Sequence, residues 1–137
     1  MAMQGSIADH LEIRQLIERY ADAASLRDYA GLEACWAEDG RWSVPDIPSL
    51  AEVKGRDNIL AAFRGAEGLF PFCFLVGNPG LIEITGDRAI ARVWTTEVLR
   101  DSKGGVRHAV GRYEDVLEKR DDRWVFVERV WYNLHAE

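Results

Sequence analysis

Near residue 70 the spacing of apolar side chains changes, and that change constrains the fold more than any single motif. Before it, Ile7, Leu11, Ile13, Leu16, Ile17, Tyr20 and Ala24 recur at close to helical spacing. After it, residues 72–76, 80–85, 88–100, 106–119 and 124–134 read as strands rich in β-branched and aromatic side chains. Helices first and long antiparallel strands afterwards predict an α+β domain. Strands this long must curl as they twist. A curved, mostly antiparallel sheet packed against three N-terminal helices is a cone with a cavity, and the whole chain, 1–137, reads as one such domain.

Local signals set the expected boundaries. The Ser6 hydroxyl can cap the amide of Asp9, whose charge favours the positive helix end. Asp28 can cap a second helix over 29–37, burying Leu32, Cys35 and Trp36. Asp39-Gly40 reads as a turn, residues 41–44 as a short strand broken by Pro45 and Pro48, and residues 56–64 as a third helix. Gly86-Asp87, residues 102–105 and Asp121-Asp122 separate the later strands.

Composition narrows the function classes. A net charge of −6 with scattered basic residues argues against a nucleic-acid surface, which needs a clustered basic face. Cys35 and Cys73 make neither a disulfide framework nor a metal cluster and read as buried free thiols. The three histidines, His10, His108 and His135, share no ligand spacing, so neither metal nor other cofactor is expected. Phosphate-cradling and nucleophile-elbow motifs do not occur in the sequence. Residues 1–5 lack an export pattern and the longest apolar stretch, 69–76, is too short to span a bilayer, which predicts a cytoplasmic protein.

Turn chemistry predicts the pairing. The 102–105 turn sets Arg100 opposite Val106, and the Asp121-Asp122 turn sets Arg120 opposite Arg123. Alternation then assigns Ala91, Val93, Thr95, Ala109, Gly111, Tyr113, Phe126, Val130 and Tyr132 to one face. Small apolar groups with two phenols suit a concave ligand surface. The other face takes Arg92, Trp94, Arg112, Glu114, Arg129, Trp131 and Asn133. Tryptophan and arginine beside paired charges suggest a homodimer contact built on Trp94, Arg112 and Trp131. Asp115 falls on the concave face opposite Glu128, either as an acid/base couple or as charges paired elsewhere.

Several spacings together resemble a known family. They are Tyr20–Asp28–Trp36–Asp39–Trp42, Gly55-Arg56-Asp57-Asn58-Ile59, Val76-Gly77-Asn78-Pro79, Gly86-Asp87-Arg88-Ala89, Gly111-Arg112-Tyr113-Glu114-Asp115 and the stretch from Trp124 to Arg129. The pattern resembles the SnoaL-like branch of the nuclear transport factor 2-like superfamily, near scytalone dehydratase and hexachlorocyclohexane dehydrochlorinase. That resemblance implies the cone fold and a cofactor-free chemistry in which an aspartate-oriented histidine abstracts a proton. The aspartate place, five residues after the helix aromatic, holds Ser25. The histidine place, four residues before the asparagine of the Gly-Asn pair, falls on Phe74. The base of the steroid-isomerase branch falls on Val44. The resemblance thus leaves the Asp–His pair without either member.

What remains is a cavity ringed by Tyr20, Trp42, Phe74, Tyr113 and Tyr132, with Ser25 as a donor and Val93, Thr95, Ala109, Gly111 and Val130 as smaller walls. Such a site suits a small hydrophobic, cyclic or aromatic molecule. Tyr20 and Tyr113 are the catalytic candidates, because a phenol can polarise a carbonyl or supply a proton; either can equally be a core tyrosine. Two functions follow: a lyase, isomerase or cyclase working in an apolar pocket, or a non-catalytic binding or protein-interaction domain of the same fold.

Overall fold

The computed structural model describes residues 5–137. Its elements run α1 (Ile7–Leu26), α2 (Tyr29–Cys35), β1 (Trp36–Ser43), a single 3-10 turn (Pro48–Leu50), β2 (Val53–Lys54), α3 (Arg56–Leu69), β3 (Phe72–Thr85), β4 (Arg88–Arg100), β5 (Val106–Arg120) and β6 (Arg123–Ala136). The six strands form one curled, unclosed sheet in the order β2-β1-β6-β5-β4-β3. All neighbours are antiparallel except β1 and β6, which run parallel.

Helix α1 begins as its cap predicts: the Ser6 hydroxyl accepts from the Asp9 amide at 3.0 Å. Its buried stripe is Ile13, Leu16, Ile17, Tyr20, Ala21, Ala23 and Ala24, whereas Ile7 and Leu11 at its start are exposed. The helix lies on β3. Gly77 leaves room there, since a Cβ would come within 3.1 Å of Val93 and 3.8 Å of Ile17. Arg27 ends α1 in the left-handed region at φ 57°, and its amide returns to the carbonyls of Ala23 and Ala24. The chain then turns straight into α2, capped by the Asp28 carboxylate on the Gly31 amide at 3.0 Å.

Several boundaries differ from expectation. Helix α2 ends at Cys35, short of the expected 37. Asp39-Gly40 is no turn but lies inside β1, which begins at Trp36 and carries an irregularity between Trp36 and Arg41. The Gly55 amide donates to the Gly40 carbonyl at 2.7 Å and residues 41–43 pair with β6, so tertiary context overrides the local turn signal. Helix α3 continues beyond Arg64 to Leu69 because nothing in 65–69 breaks it except two tolerated glycines. Residues 72–85 form one strand in which Gly80 bulges between Pro79 and Leu81.

The register decides what faces the concave side. Strands β4 and β5 pair without a shift from Arg100↔Val106 to Arg88↔Glu118, as the turn predicts. The β5–β6 pairing starts as expected at Arg120↔Arg123, with both turn residues, Asp121 and Asp122, at positive φ. It then shifts after Leu117↔Phe126, where Val127 is extra, so that Val116 meets Glu128. One extra residue reverses the later side chains as far as Asn133, after which a second shift at Leu134 restores the alternation. The straight register would bury Asp115 against Glu128, two like charges. The bulge instead sets Asp115 opposite Arg129 and frees Glu128 to reach Arg41 at 2.7 Å.

The bulge corrects several expectations at once. Arg129 and Trp131 belong to the concave side, and Val130 and Tyr132 to the outer side. Trp94 and Arg112 do lie on the outer face, but Trp131 does not join them. Glu114 bridges Arg92 at 3.1 Å and Arg112 at 3.0 Å. The half-exposed rings of Trp94 and Tyr132 flank Arg112, whose guanidinium lies 5.8 and 5.3 Å from their centroids.

Candidate active site

A cavity of about 180 Å³ opens between the ends of α1 and α3, the 3-10 turn and the concave sheet. Its depth is aromatic. Trp42 from β1 stacks on Phe63 from α3 with centroids 4.8 Å apart. Tyr113 from β5 and Trp131 from β6 line it beside the buried Leu75. Trp131 is held by donating from Nε1 to the Thr95 hydroxyl at 2.9 Å. Its indole crosses β5 over Gly111, where a Cβ would overlap the ring.

The more exposed part of the lining is more polar and comprises Arg27, Tyr29, Cys73 and Glu97. The left-handed cap of α1 aims Arg27 here, and its guanidinium donates to the Phe70 carbonyl. Glu97 lies two residues beyond Thr95 on the concave face of β4. Among the described residues no hydrogen bond or ion pair holds its carboxyl. Burial raises its pKa above the usual carboxylate range, while Arg107 and Arg27 pull it back. Burial also pushes the Cys73 thiol up to about 11, with Glu97 adding to the rise and Arg27 opposing it. Cys35, away from the cavity, stands at about 11 for the same first reason. Neither sulfur is a thiolate at neutral pH.

Beneath Tyr113 lies a charged layer. Asp115 and Arg129 form a two-pronged ion pair, 2.7 and 2.9 Å long and sealed from solvent. The guanidinium touches three rings, with centroids at 3.7 Å for Tyr113, 4.1 Å for Phe126 and 4.3 Å for Tyr20. Burial lifts Asp115 to about 6 against the pull of Arg129. Burial also raises Tyr113; Arg129 and the neighbouring Tyr20 and Trp42 hold that rise down. Trp42 Nε1 is buried without a hydrogen-bond partner among the described residues. A small adjustment, or a ligand acceptor, would satisfy it.

The sequence candidates separate into groups. Trp42 and Tyr113 line the cavity. Tyr20 lies below it, 1% exposed, edge-on to Trp36, Phe63, Tyr113 and Phe126 at 5.6–6.1 Å. Burial drives its hydroxyl pKa well up. Val93, Thr95 and Ala109 are buried in the concave face, and Gly111 makes room for Trp131. Ser25 spends its hydroxyl on the backbone of Leu75, accepting from the amide at 2.8 Å and donating to the carbonyl at 3.2 Å. Phe74 is 44% exposed because its neighbours Cys73 and Leu75 take the inward pleat. Ser25 and Phe74 therefore do not face each other across the cavity, and the expectation that aligned them as two halves of one pair is corrected. Val130 and Tyr132 are on the outer side. None of the described lining residues is a histidine.

Sequence reasoning missed Arg27, Glu97 and the pairing of Asp115 with Arg129. The signal for Glu97 was present: the alternation Ala91, Val93, Thr95 continues into it. A model of the SnoaL-like domain matches residues 5–130. This chain belongs to the SnoaL-like domain family.

Solved structures share the SnoaL-like fold along nearly the full chain. A candidate scytalone dehydratase from Novosphingobium aromaticivorans is 20% identical, with 96% of this chain and 87% of that one covered and a TM-score of 0.84. A LinA-type3 hexachlorocyclohexane dehydrochlorinase from Novosphingobium barchaimii is 17% identical, with 96% and 90% covered and a TM-score of 0.86. A candidate aromatic ring hydroxylase from Novosphingobium aromaticivorans is 21% identical, with 96% and 93% covered and a TM-score of 0.87. At these identities the likeness is one of fold. No curated protein sequence matches.

Proposed function

We propose that this SnoaL-like protein is a cofactor-independent lyase, isomerase or cyclase acting on a small apolar cyclic or aromatic molecule that carries an oxygen. The observation that carries this reading is the buried, unpartnered Trp42 N–H beside the Tyr113 hydroxyl in an otherwise aromatic and aliphatic cavity. An apolar ring gains from burial there, and an oxygen on it satisfies a donor that the protein leaves open. The reaction would proceed without an aspartate–histidine pair, since Ser25 is engaged with Leu75 and none of the described lining residues is a histidine. Names of structural neighbours that include a dehydratase and a dehydrochlorinase support a lyase-type chemistry.

Binding of 2-tetralone and of tetralin, which lacks the oxygen, tests the reading through quenching of the cavity tryptophans. The ketone is expected to bind more tightly, and Tyr113→Phe with Trp42→Phe to remove that preference, worth about 3- to 10-fold per hydrogen bond. Equal affinity for the two compounds in the unaltered protein would overturn the oxygen-recognition reading.

A further inference from the structure

We propose that Glu97 is the proton-transfer residue of this cavity and that its substrates carry a C–H bond next to a carbonyl group. This rests on the function proposed above and adds to it the reacting group and the substrate class. Three observations lead there. First, Glu97 is a carboxyl lining an apolar cavity with no hydrogen bond or ion pair among the described residues, so no structural partner accounts for it. A half-buried carboxyl held by no such partner against apolar walls gains nothing for the fold, which points to a role in the cavity.

Second, the register separates Glu97 from the donors by a useful distance. Glu97 pairs with Ala109 on β5, and Tyr113 lies four residues along the same strand. The backbone positions are therefore about 13 Å apart by strand rise, and the two side chains project into the space between. A flat ring system fits with its oxygen toward Tyr113 and Trp42 and its adjacent carbon toward Glu97. Third, the electrostatic surroundings suit a base. The ionisable groups around Glu97 are Arg27 from α1, Cys73 from β3, and Arg107 and Tyr113 from β5. Burial raises the carboxyl while the two arginines limit the rise. That combination makes the carboxyl more basic than a solvated one.

The step balances without a co-reactant. A Glu97 carboxylate oxygen forms an O–H bond as the substrate C–H bond breaks. The C–H electron pair becomes the new carbon–carbon π bond, and the carbonyl π pair moves onto oxygen. The resulting enolate oxygen accepts from the Tyr113 O–H and the Trp42 N–H. The proton then returns from Glu97 to the same carbon or to a conjugated one, restoring the carboxylate. Reprotonation at the conjugated carbon is an isomerisation.

Deuterium exchange into 2-tetralone at the carbon between carbonyl and ring, followed by NMR in heavy water, reads this step directly. The unaltered protein is expected to accelerate exchange over buffer. Glu97→Gln should lower the acceleration on the order of 100-fold while leaving the 2-tetralone dissociation constant unchanged. Glu97→Asp should retain part of it, and circular dichroism should show both variants folded. Exchange by Glu97→Gln at the unaltered rate would overturn the assignment of Glu97. Binding without exchange in the unaltered protein would also overturn it but leave the pocket reading standing. Failure of 2-tetralone to bind would overturn both.

Discussion

Trp131 lies across Gly111, its indole occupying the space that any side chain at that position would need. The relationship builds one side of the cavity, because the same indole donates to Thr95 at 2.9 Å and presents its ring to the ligand space. Gly111→Ala should push the indole off the strand. The expected loss is about 1–3 kcal/mol of stability, from overpacking against a rigid ring. Ligand affinity should fall with it. Urea unfolding and ligand titration of the same variant check both, and an unchanged midpoint would show that Trp131 has somewhere else to go.

The buried Asp115–Arg129 pair makes a sharper energetic prediction. Either group alone would be an uncompensated charge beneath three aromatic rings, so Asp115→Asn or Arg129→Met should each cost about 3–5 kcal/mol. Removing both with Asp115→Leu and Arg129→Met should cost far less than the sum of single losses. Denaturant unfolding of the singles and the double closes the cycle. Additive losses would mean that the two residues act independently despite their 2.7 and 2.9 Å contacts.

These two relationships also show where sequence reasoning reached and where it stopped. The helix-then-strand order, the caps at Ser6 and Asp28 and the turns after Arg100 and Arg120 are local, and local chemistry sets them. Concave positions on β4 and β5 follow because their register is unbroken. The β6 assignments fail beyond Phe126, since a bulge is set by what it brings together in three dimensions. The pressure that creates it, Asp115 facing Glu128, can be written from the straight register, but the remedy cannot be chosen without seeing Arg41 beside Glu128. Phe74 fails for a smaller reason: a motif count fixes a position, not which pleat faces inward. Arg27 escapes notice because a left-handed arginine cap has no composition signal.

Asp9 predicts how the fold responds to acid. Its carboxylate accepts from Trp124 Nε1 at 2.9 Å and Lys119 Nζ at 3.2 Å, tying the start of α1 to β5 and β6. Trp124 first, then Ser6 and Lys119, lower its pKa from 3.8 to about 2. A depressed carboxylate stabilises the fold above its unfolded pKa, and that contribution disappears as pH falls through the folded value. The stability of the unaltered protein should therefore drop between pH 4 and pH 2 (the window of about two units set by the shift). In Asp9→Asn this drop should be shallower. Urea midpoints at several pH values in that window check the slope, and parallel curves would remove Asp9 from the account.

Ser25 and Leu75 supply the last prediction. The serine hydroxyl reaches the backbone of Leu75, whose side chain is buried at the cavity wall, while Phe74 points to solvent. A polar pair at this place must therefore combine Ser25→Asp with Leu75→His, not with Phe74→His. The imidazole introduced by Leu75→His alone enters an apolar wall, so burial should depress its pKa. Adding Ser25→Asp places a carboxylate beside it, which should raise that pKa by about one unit or more relative to the single variant. The imidazole introduced by Phe74→His should titrate near 6.5, about the value of a solvated histidine, whatever occupies position 25. Two-dimensional NMR titration of the introduced histidine distinguishes the cases, with the native histidines His10, His108 and His135 assigned first. A Phe74→His imidazole that responds to Ser25→Asp would return the inward pleat to position 74 and reverse the placement drawn here.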